Sequence, residues 1–404
     1  MQITQIDWAS AQWFEMENQL NSLRAWNDIE FPTVSDGYIV GSHGLLLKTI
    51  NGGDQWVISK LDSSETLSAI DFPTISTGYI VGSGGLMLKT TDAGITWSKL
   101  SFSSSDYLMD VEFVTDEKGF VGSKNGLLFT TTDGGQNWTS QNLGTYEIYN
   151  IIYTSDSVGF LLANEYVFNP GQTTVFKTID SGDSWFELPN SFFLETMTSA
   201  AYFVNNDIGY VSNSGLISKT MDGGNSWQTV FEPGGFGYSQ AVLSSNVFFL
   251  NPDTGLVAFQ RKIMRTYNGG TDWILEDLDS LMDPMSIILK VYCVDQLDCY
   301  GIGWRNLLLS TRNDIVVLTL EDGHHNRLTT TINAFPNPFS QTVSIEFSDY
   351  NLFKGAQLVL TNILGQEIRS WTVTSNIELI DNLASGVYFL TVSGFVGGIK
   401  LIAF

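Results

Sequence analysis

The sequence is poor in basic residues. Of its 404 residues only 19 are Lys or Arg, against 43 Asp or Glu, so the formal net charge is −24. Proteins bind nucleic acids and anionic membrane surfaces through basic faces that attract phosphate. The composition therefore argues against both as partners. It suits a soluble exterior or a surface that attracts cations.

Long apolar runs are also missing. No run of 18 or more apolar residues occurs, so no membrane insertion is expected. The segment Met1–Asn21 contains Asp7, Glu15 and Glu17 and lacks a basic stretch, so it is not predicted to be a signal peptide. A hydrophobic fraction of 43% with 13% aromatic residues nevertheless indicates a folded globular chain.

Histidine and cysteine are scarce. His43 lies in a predicted turn, His324 and His325 lie in a predicted linker, and no third ligand is spaced to join them. We therefore expect no metal and no cofactor. Cys293 and Cys299 flank a short turn, and alignment with the repeat described next places them on one hairpin. They form a disulfide in an oxidising compartment, with a Cα separation of ~4.4–6.8 Å, or remain two thiols in a reducing one.

The chain is organised around a nine-residue pattern that occurs six times. Each copy has Lys-Thr or a close variant, Asp or Asn, a glycine pair or a similar pair, two polar residues and Trp. The intervals between copies are 41 to 47 residues. A period of ~40–45 residues with four short strands per unit is typical of β-propellers.

The residue types in this pattern indicate a turn. Asp and Asn bond to backbone two residues on and tolerate positive φ, and glycine adopts positive φ without steric cost. The Trp begins the next strand and is expected to be largely buried between units. Because six copies cannot all line one site, a structural role is favoured over a catalytic or metal-binding one. The predicted structural residues are Asn51, Trp56, Asp92, Trp97, Asp133, Trp138, Asp180, Trp185, Asp222, Trp227, Asn268 and Trp273.

These copies resemble the Asp-box, or BNR, motif, and the closest match is Thr90–Trp97. Asp-boxes occur in sialidases, in sortilin-type receptors and in photosystem II assembly-factor propellers. The longer unit is most similar to the last group, because Gly37–Gly41 and Gly78–Gly82 match its Gly-aromatic-x-Val-Gly strand. The resemblance implies that the Asp-box is a peripheral turn, away from the active face.

A seventh unit follows the six copies but has no Asp-box. Ile287–Cys293, Tyr300–Trp304 and Asn306–Thr311 match the first three strands of a unit. The missing fourth strand is expected near Trp13–Met16, which resembles the segment after Trp185. Closure of the last blade by this N-terminal strand removes free sheet edges. The sequence thus predicts an all-β protein with a seven-bladed β-propeller over residues 1–320.

The composition changes after the propeller. Residues 321–332 are polar and are predicted to be a linker, and residues 333–404 show short alternating strands typical of a small immunoglobulin-like β-sandwich. This tail resembles the C-terminal sorting domain of the type IX secretion system of Bacteroidetes. The matching motif residues are Pro336, Asn337, Pro338, Gly365, Gly386, Tyr388 and Lys400.

The tail resemblance implies export to the outer-membrane surface or the extracellular space, with the type IX secretion machinery as a partner. We expect a monomeric, non-catalytic binding or adhesion propeller with an unknown glycan or protein ligand on its face. One alternative is a sialidase-like glycoside hydrolase that uses the central cleft, although the family's Arg-Ile-Pro motif is absent. Another is a scaffold like the photosystem assembly factors, whose basic patch contrasts with the charge of this chain.

One acidic patch between the sixth and seventh units remained open to two interpretations. Glu276, Asp277, Asp279 and Asp283 offer oxygen ligands that suit calcium. Their spacing is not that of a known calcium loop, so a solvated loop is favoured.

Overall fold

The fold is all-β and divides into two units, Met1–Thr311 and Arg312–Phe404. The structure is a computed structural model. The structure describes residues 14–15, 24–53, 56–61, 64–102, 104–165, 172–189, 199–213, 216–232, 244–278, 282, 285–295, 298–311, 332–335, 342–347, 354, 357–362, 366–375, 377–381, 383–384, 386–392 and 398–403. Part of the predicted linker, residues 321–331, lies outside this description, so its limits stay a prediction.

The first unit is a seven-bladed propeller, which confirms the fold predicted from the repeat. Each blade is one four-stranded antiparallel sheet. Blade 1 contains β2 (Trp26–Glu30), β3 (Gly37–Gly41), β4 (Leu45–Thr49) and β5 (Val57–Lys60). Blade 2 contains β6 (Leu67–Asp71), β7 (Gly78–Gly82), β8 (Met87–Thr90) and β9 (Ser98–Lys99). Blade 3 contains β10 (Leu108–Phe113), β11 (Gly119–Ser123), β12 (Leu127–Thr131) and β13 (Thr139–Asn142).

The next blades repeat this order. Blade 4 contains β14 (Tyr146–Tyr153), β15 (Gly159–Glu165), β16 (Gln172–Thr178) and β17 (Phe186–Glu187). Blade 5 contains β18 (Ser199–Phe203), β19 (Gly209–Asn213), β20 (Leu216–Thr220) and β21 (Gln228–Phe231). Blade 6 contains β22 (Ser244–Phe249), β23 (Gly255–Phe259), β24 (Lys262–Thr266) and β25 (Ile274–Asp277).

Blade 7 is built from both ends of the first unit. It contains β26 (Ile288–Cys293), β27 (Cys299–Gly303), β28 (Leu308–Ser310) and, as its outer strand, β1 (Phe14–Glu15). In the observed register Phe14 pairs with Ser310 and Glu15 with Leu309. The N-terminal strand therefore occupies the place that the sequence assigned to it.

Burial decreases from the second strand of a blade to the fourth. The second strands β3 and β7 both read Gly-Tyr-Ile-Val-Gly and are buried at every position, whereas β5 and β13 are exposed at every position. A strand packed on both faces needs apolar residues throughout, because no side chain reaches water. The inner strands thus form the hydrophobic core between blades, and the outer strands meet solvent.

An aromatic ring covers a glycine at the first hairpin of six blades. In blade 2 a Cβ added to Gly78 would lie 2.6 Å from the ring of Phe72, so the position accepts no side chain. The same pairing recurs as Phe31 with Gly37, Phe113 with Gly119, Tyr153 with Gly159, Phe203 with Gly209, and Phe249 with Gly255. We call this pair the ring-on-glycine contact. It anchors the first hairpin of these six blades.

The second unit contains two antiparallel sheets. One sheet contains β29 (Ile332–Phe335), β30 (Thr342–Phe347) and β33 (Ile377–Asp381). The other contains β31 (Gln357–Asn362), β32 (Glu367–Thr372), β34 (Gly386–Val392) and β35 (Gly398–Ala403). Leu358 and Leu360 of β31 and Tyr388 and Leu390 of β34 are buried, so alternate positions face inward, as in a β-sandwich.

Within the described residues, no helix has the length and apolar character needed to cross a membrane.

Candidate functional site

The first strands of the seven blades surround a central channel with a volume of about 790 Å³. The channel is lined by residues from all seven blades. Ligand sites are concave and combine apolar walls with a few polar groups, so the channel is the candidate functional site.

Five carboxyl groups line one side of this channel. Asp28 and Glu30 come from β2, Asp71 follows on β6, and Asp110 and Glu112 come from β10. Blades 1 to 3 thus contribute all of the acidic residues that line the channel, and we call these five residues the acidic wall. Lys290 of β26 is the single basic residue among those that line the channel.

The acidic wall connects neighbouring blades through backbone hydrogen bonds. The amide of Ile70 donates to Asp28 Oδ2 at 2.9 Å, and that of Phe113 donates to Asp71 Oδ2 at 2.8 Å. Asp110 Oδ2 accepts from the amide of Ile151 at 2.7 Å. Each acid therefore satisfies an amide on the inner strand of the next blade, which fixes the orientation of its carboxyl group.

Burial raises the pKa of these carboxyl groups. It raises the pKa of Asp71 to about 8, because charge is costly away from water and Asp110 and Asp28 lie nearby. Burial likewise raises the pKa of Asp110 to about 7, although Lys290 opposes this shift. The pKa of Glu112 also lies well above its ordinary value, first through burial and then through Asp71. Asp71 and Asp110 therefore exchange protons near neutral pH.

Lys290 connects blade 7 to the acidic wall. Its Nζ contacts Oδ1 of Asp28 in blade 1, and the Asp28 side chain is almost fully buried. Burial alone would lower the pKa of Lys290, but Asp28 and Asp110 outweigh it and raise that pKa above its ordinary value. Lys290 is therefore charged and compensates one of the five acids.

Aromatic side chains line the other side of the channel. Tyr149 of β14, Tyr202 of β18, Phe248 of β22 and Tyr292 of β26 all belong to blades 4 to 7. The ring centroids of Tyr202 and Phe248 are 5.5 Å apart, and those of Phe248 and Tyr292 are 5.0 Å apart. An acidic wall facing an aromatic one suits ligands that carry cationic, hydroxyl or flat apolar groups.

The acidic wall was not predicted from the sequence. The acidic patch that was considered, with a solvated loop favoured, includes Glu276 and Asp277, and Glu276 forms a salt bridge of 2.6 Å with Arg265. Asp279 and Asp283 lie outside the described residues. No group of three or more potential metal ligands occurs among the described residues. One feature of the sequence could have indicated the wall. The first strands of units 1 to 3 contain acidic residues, whereas a strand buried in a core is usually apolar.

The Asp-boxes lie between the third and fourth strands of blades 1 to 6, outside the channel. In blade 2 the Thr90 hydroxyl donates to Asp92 Oδ1 at 2.8 Å, and the Gly94 amide donates to Thr90 Oγ1 at 2.9 Å. The Thr96 amide completes the turn with a 2.9 Å bond to Asp92 Oδ1. The equivalent Thr bonds recur at Asn51, Asp133, Asp180, Asp222 and Asn268.

The Asp-box tryptophans are largely covered but not fully enclosed. Trp56, Trp97, Trp138, Trp185, Trp227 and Trp273 are all partly buried. The Trp97 ring packs edge-on against Phe72 with a centroid distance of 6.0 Å. Burial is incomplete because each Trp directly precedes the fourth strand, which meets solvent.

Each Asp-box is held by the preceding blade. Tyr38 Oη and Lys48 Nζ of blade 1 both donate to the carbonyl of Ala93 in blade 2, at 2.7 and 2.5 Å. Tyr79 and Lys89 of blade 2 donate in the same way to a carbonyl in blade 3. The Lys of the pattern, which carried no assigned role in the sequence, therefore joins neighbouring blades.

The two cysteines form a disulfide with a Cα separation of 4.0 Å, slightly below the expected range. They are direct cross-strand partners, because Cys293 ends β26 and Cys299 begins β27. In the second unit the hydroxyl of Tyr388 donates to the carbonyl of Ala384 at 2.8 Å. Gly386 begins β34, and Lys400 lies in β35. Pro336, Asn337, Pro338 and Gly365 lie outside the described residues.

Two family models match the chain. Residues 6–105 and 103–240 match the family described as photosynthesis system II assembly factor YCF48. Residues 333–397 match the secretion system C-terminal sorting domain. No curated protein matches the sequence.

Solved structures share the fold. A structure of YCF48 bound to a D1 peptide is 20% identical, with a TM-score of 0.60, and the match covers 74% of this chain and 96% of that one. The chain is also similar to PorZ, a surface component of the type IX secretion system of Porphyromonas gingivalis (13% identity, TM-score 0.54, 96% and 61% covered). A GH74 xyloglucanase from Xanthomonas campestris matches with 13% identity and a TM-score of 0.57, over 72% of this chain and 52% of that one. At these identities the likeness shows the fold alone.

Proposed function

Because the chain belongs to the photosynthesis system II assembly factor YCF48 family and ends in a secretion-system sorting domain, we propose that it is an exported binding propeller. The sorting domain implies export by the type IX secretion system to the cell surface or the extracellular space. The propeller is then a non-catalytic module that takes a protein or glycan ligand at its central channel.

The division of the channel into an acidic and an aromatic wall carries this proposal. Five carboxyl groups and one lysine line one side of the channel. A Lys or Arg side chain of a ligand would favour the ionised form of Asp71 and Asp110, whose pKa values lie at about 8 and about 7, and would pair with it. The aromatic wall offers flat faces for stacking against a cation or a sugar ring. A peptide ligand is also favoured by the D1 peptide seen on the YCF48 propeller.

Peptide and glycan arrays with the full chain test the proposal. We expect bound sequences to be rich in Lys or Arg and to lose binding to the double variant Asp71→Asn, Glu112→Gln. Asn and Gln keep an acceptor oxygen for the neighbouring amides, so the blades stay connected. The matched control is Asp92→Asn, which removes a charge from an Asp-box outside the channel. Binding that survives the double variant but is lost in the control would refute the channel as the site.

Glycoside hydrolysis is the second candidate, favoured by the raised pKa values of Asp71 and Asp110. A glycosidase needs one protonated and one ionised carboxyl group across the sugar linkage. We expect no release of reducing ends from xyloglucan or from sialylated substrates. Release that disappears in the Asp71→Asn, Glu112→Gln variant would establish hydrolysis and overturn the non-catalytic function.

A further inference from the structure

Blade 7 replaces the ring-on-glycine contact with a pair of cysteines. Phe249 pairs with Gly255 in blade 6, and Cys293 pairs with Cys299 in the same register of blade 7. The disulfide therefore occupies the position at which the six other blades anchor their first hairpin with an aromatic ring.

The junction between blades 6 and 7 also lacks the aromatic stack found at the other junctions. Tyr210 of blade 5 stacks on Phe249 of blade 6 at 3.7 Å, and Tyr300 of blade 7 stacks on Phe31 of blade 1 at 5.1 Å. At the junction of blades 6 and 7 the corresponding residues are Leu256 and Cys293, which share one apolar cluster. The channel-side contact between the rings of Phe248 and Tyr292 remains at this junction, but no ring stacks beside the first hairpin of blade 7.

The Asp-box contact has no counterpart among the described residues of this junction. Arg265 occupies the lysine position of blade 6, but the sequence of blade 7 has no Asp-box Trp. The guanidinium of the buried Arg265 instead bonds Glu276, and its Nη1 lies 3.8 Å from Cys299 Sγ. The described part of the outer strand of blade 7 is Phe14–Glu15.

From these contacts we propose that oxidation of Cys293 and Cys299 locks blade 7 and thereby closes the propeller ring. The disulfide performs the anchoring that an aromatic ring performs in the other blades. Disulfides persist in oxidising compartments, so blade 7 is anchored there. In a reduced chain the anchor is missing, and the ring stays more open at blade 7. This inference is independent of the ligand of the channel.

The oxidation requires an external disulfide, such as oxidised glutathione. The thiolate of one cysteine attacks it, forms a mixed disulfide and releases one glutathione thiolate. The second cysteine thiolate then attacks the mixed disulfide, forms the Cys293–Cys299 bond and releases the second glutathione. Two electrons pass to the oxidant, and the two thiol protons pass to solvent or to the released thiolates.

The order of events follows from burial. Cys293 is 6% exposed and Cys299 is 1% exposed in the closed blade, so an oxidant cannot reach either sulfur there. The bond must therefore form before blade 7 packs against blade 6. Once formed, it is shielded from reductants.

Hydrogen exchange of the full chain tests the lock. The protein is unfolded, reduced and refolded either with oxidised glutathione or with dithiothreitol. We expect exchange in Ile288–Cys293 and Cys299–Gly303 to be roughly tenfold to a hundredfold faster in the reduced form, as a short disulfide loop predicts. Exchange in Leu108–Phe113 of blade 3 should be the same in both forms and serves as the internal reference.

Two variants separate the lock from a general loss of stability. Cys293→Ala with Cys299→Ala should show fast exchange at blade 7 under both conditions. Cys293→Phe with Cys299→Gly restores the repeat and should be equally protected with and without reductant. Equal protection of blade 7 in the reduced and oxidised wild type would overturn the proposal. Alkylation of the unfolded protein gives a second check. Two reactive thiols in protein purified from an oxidising compartment would also overturn the proposal.

Discussion

The hydroxyl of Tyr300 in blade 7 donates a 2.5 Å hydrogen bond to the carbonyl of Gly52 in blade 1. The bond joins residues 248 positions apart in the sequence and lies where the ring closes. The same contact joins Tyr79 of blade 2 to Gly134 of blade 3, where Lys89 donates to the same carbonyl. Ser310 stands at the lysine position of blade 7.

A Tyr→Phe substitution should therefore have different effects on stability at Tyr300 and at Tyr79. Tyr300→Phe should lower the free energy of unfolding by ~1 kcal/mol, the usual value of one lost hydrogen bond. Tyr79→Phe should lower it by less, because Lys89 keeps the carbonyl of Gly134 satisfied. Urea unfolding of the two variants measures both values. A larger loss for Tyr79→Phe would contradict the role of Tyr300 in closure.

The partly exposed Asp-box tryptophans predict moderate stability losses. Trp97→Ala should reduce the free energy of unfolding by ~2 kcal/mol, below the ~3–5 kcal/mol typical of fully buried aromatic rings. Trp97→Phe should recover part of the loss by keeping an edge contact with Phe72. Thermal unfolding checks both variants. An unchanged midpoint for Trp97→Ala would show that the ring contributes nothing to packing.

The carboxyl groups of the channel and of the Asp-boxes predict opposite pH dependences. The pKa of Asp71 rises from 3.8 to about 8 on folding, so the folded state binds more protons than the unfolded state between these values. Its contribution to stability is therefore fully present below pH ~4 and is lost as the pH rises towards 8. Asp71→Asn should flatten this decline, as measured by denaturant unfolding at pH 5 and pH 8.

Asp92 provides the matched control. Its hydrogen bonds with Thr96 and Thr90 lower its pKa to about 2. The contribution of Asp92 is thus present above pH ~4 and is lost as the pH falls towards 2. Asp92→Asn should change stability in this acid range and leave the decline towards pH 8 intact. A decline that Asp71→Asn leaves unchanged would show that other groups cause it.

The sorting domain predicts that export depends on residues 333–397. In a secreting host, with a signal peptide supplied, a chain truncated after Thr331 should remain in the periplasm. A periplasmic reporter fused to residues 327–404 should reach the surface or the medium. Cell fractionation distinguishes the two locations. Export of the truncated chain at the level of the full chain would contradict the assignment.

The sequence by itself determined the architecture of the propeller. The copies from Trp56 to Trp273 mark the blades because an Asp-box turn depends on residues within one nine-residue segment. The strand Gly78–Gly82 is apolar throughout, and this composition alone predicts that both of its faces are buried. The closure by Phe14 and Glu15 was also predictable from the sequence. The seventh unit lacks a fourth strand, and the N-terminal segment contains an extra strand that can supply it.

Only the tertiary structure decided what the blades place together. Asp28 and Lys290 are far apart in the sequence, and each alone is an ordinary charged residue in a strand. Their contact, and the acidic wall around it, arise because seven first strands converge on one axis. The roles of Lys48 and Tyr38 were hidden for the same reason, since the carbonyl that they share belongs to the next blade. Local patterns encode turns and strands, whereas a site assembled from many blades depends on how the blades are arranged around the ring.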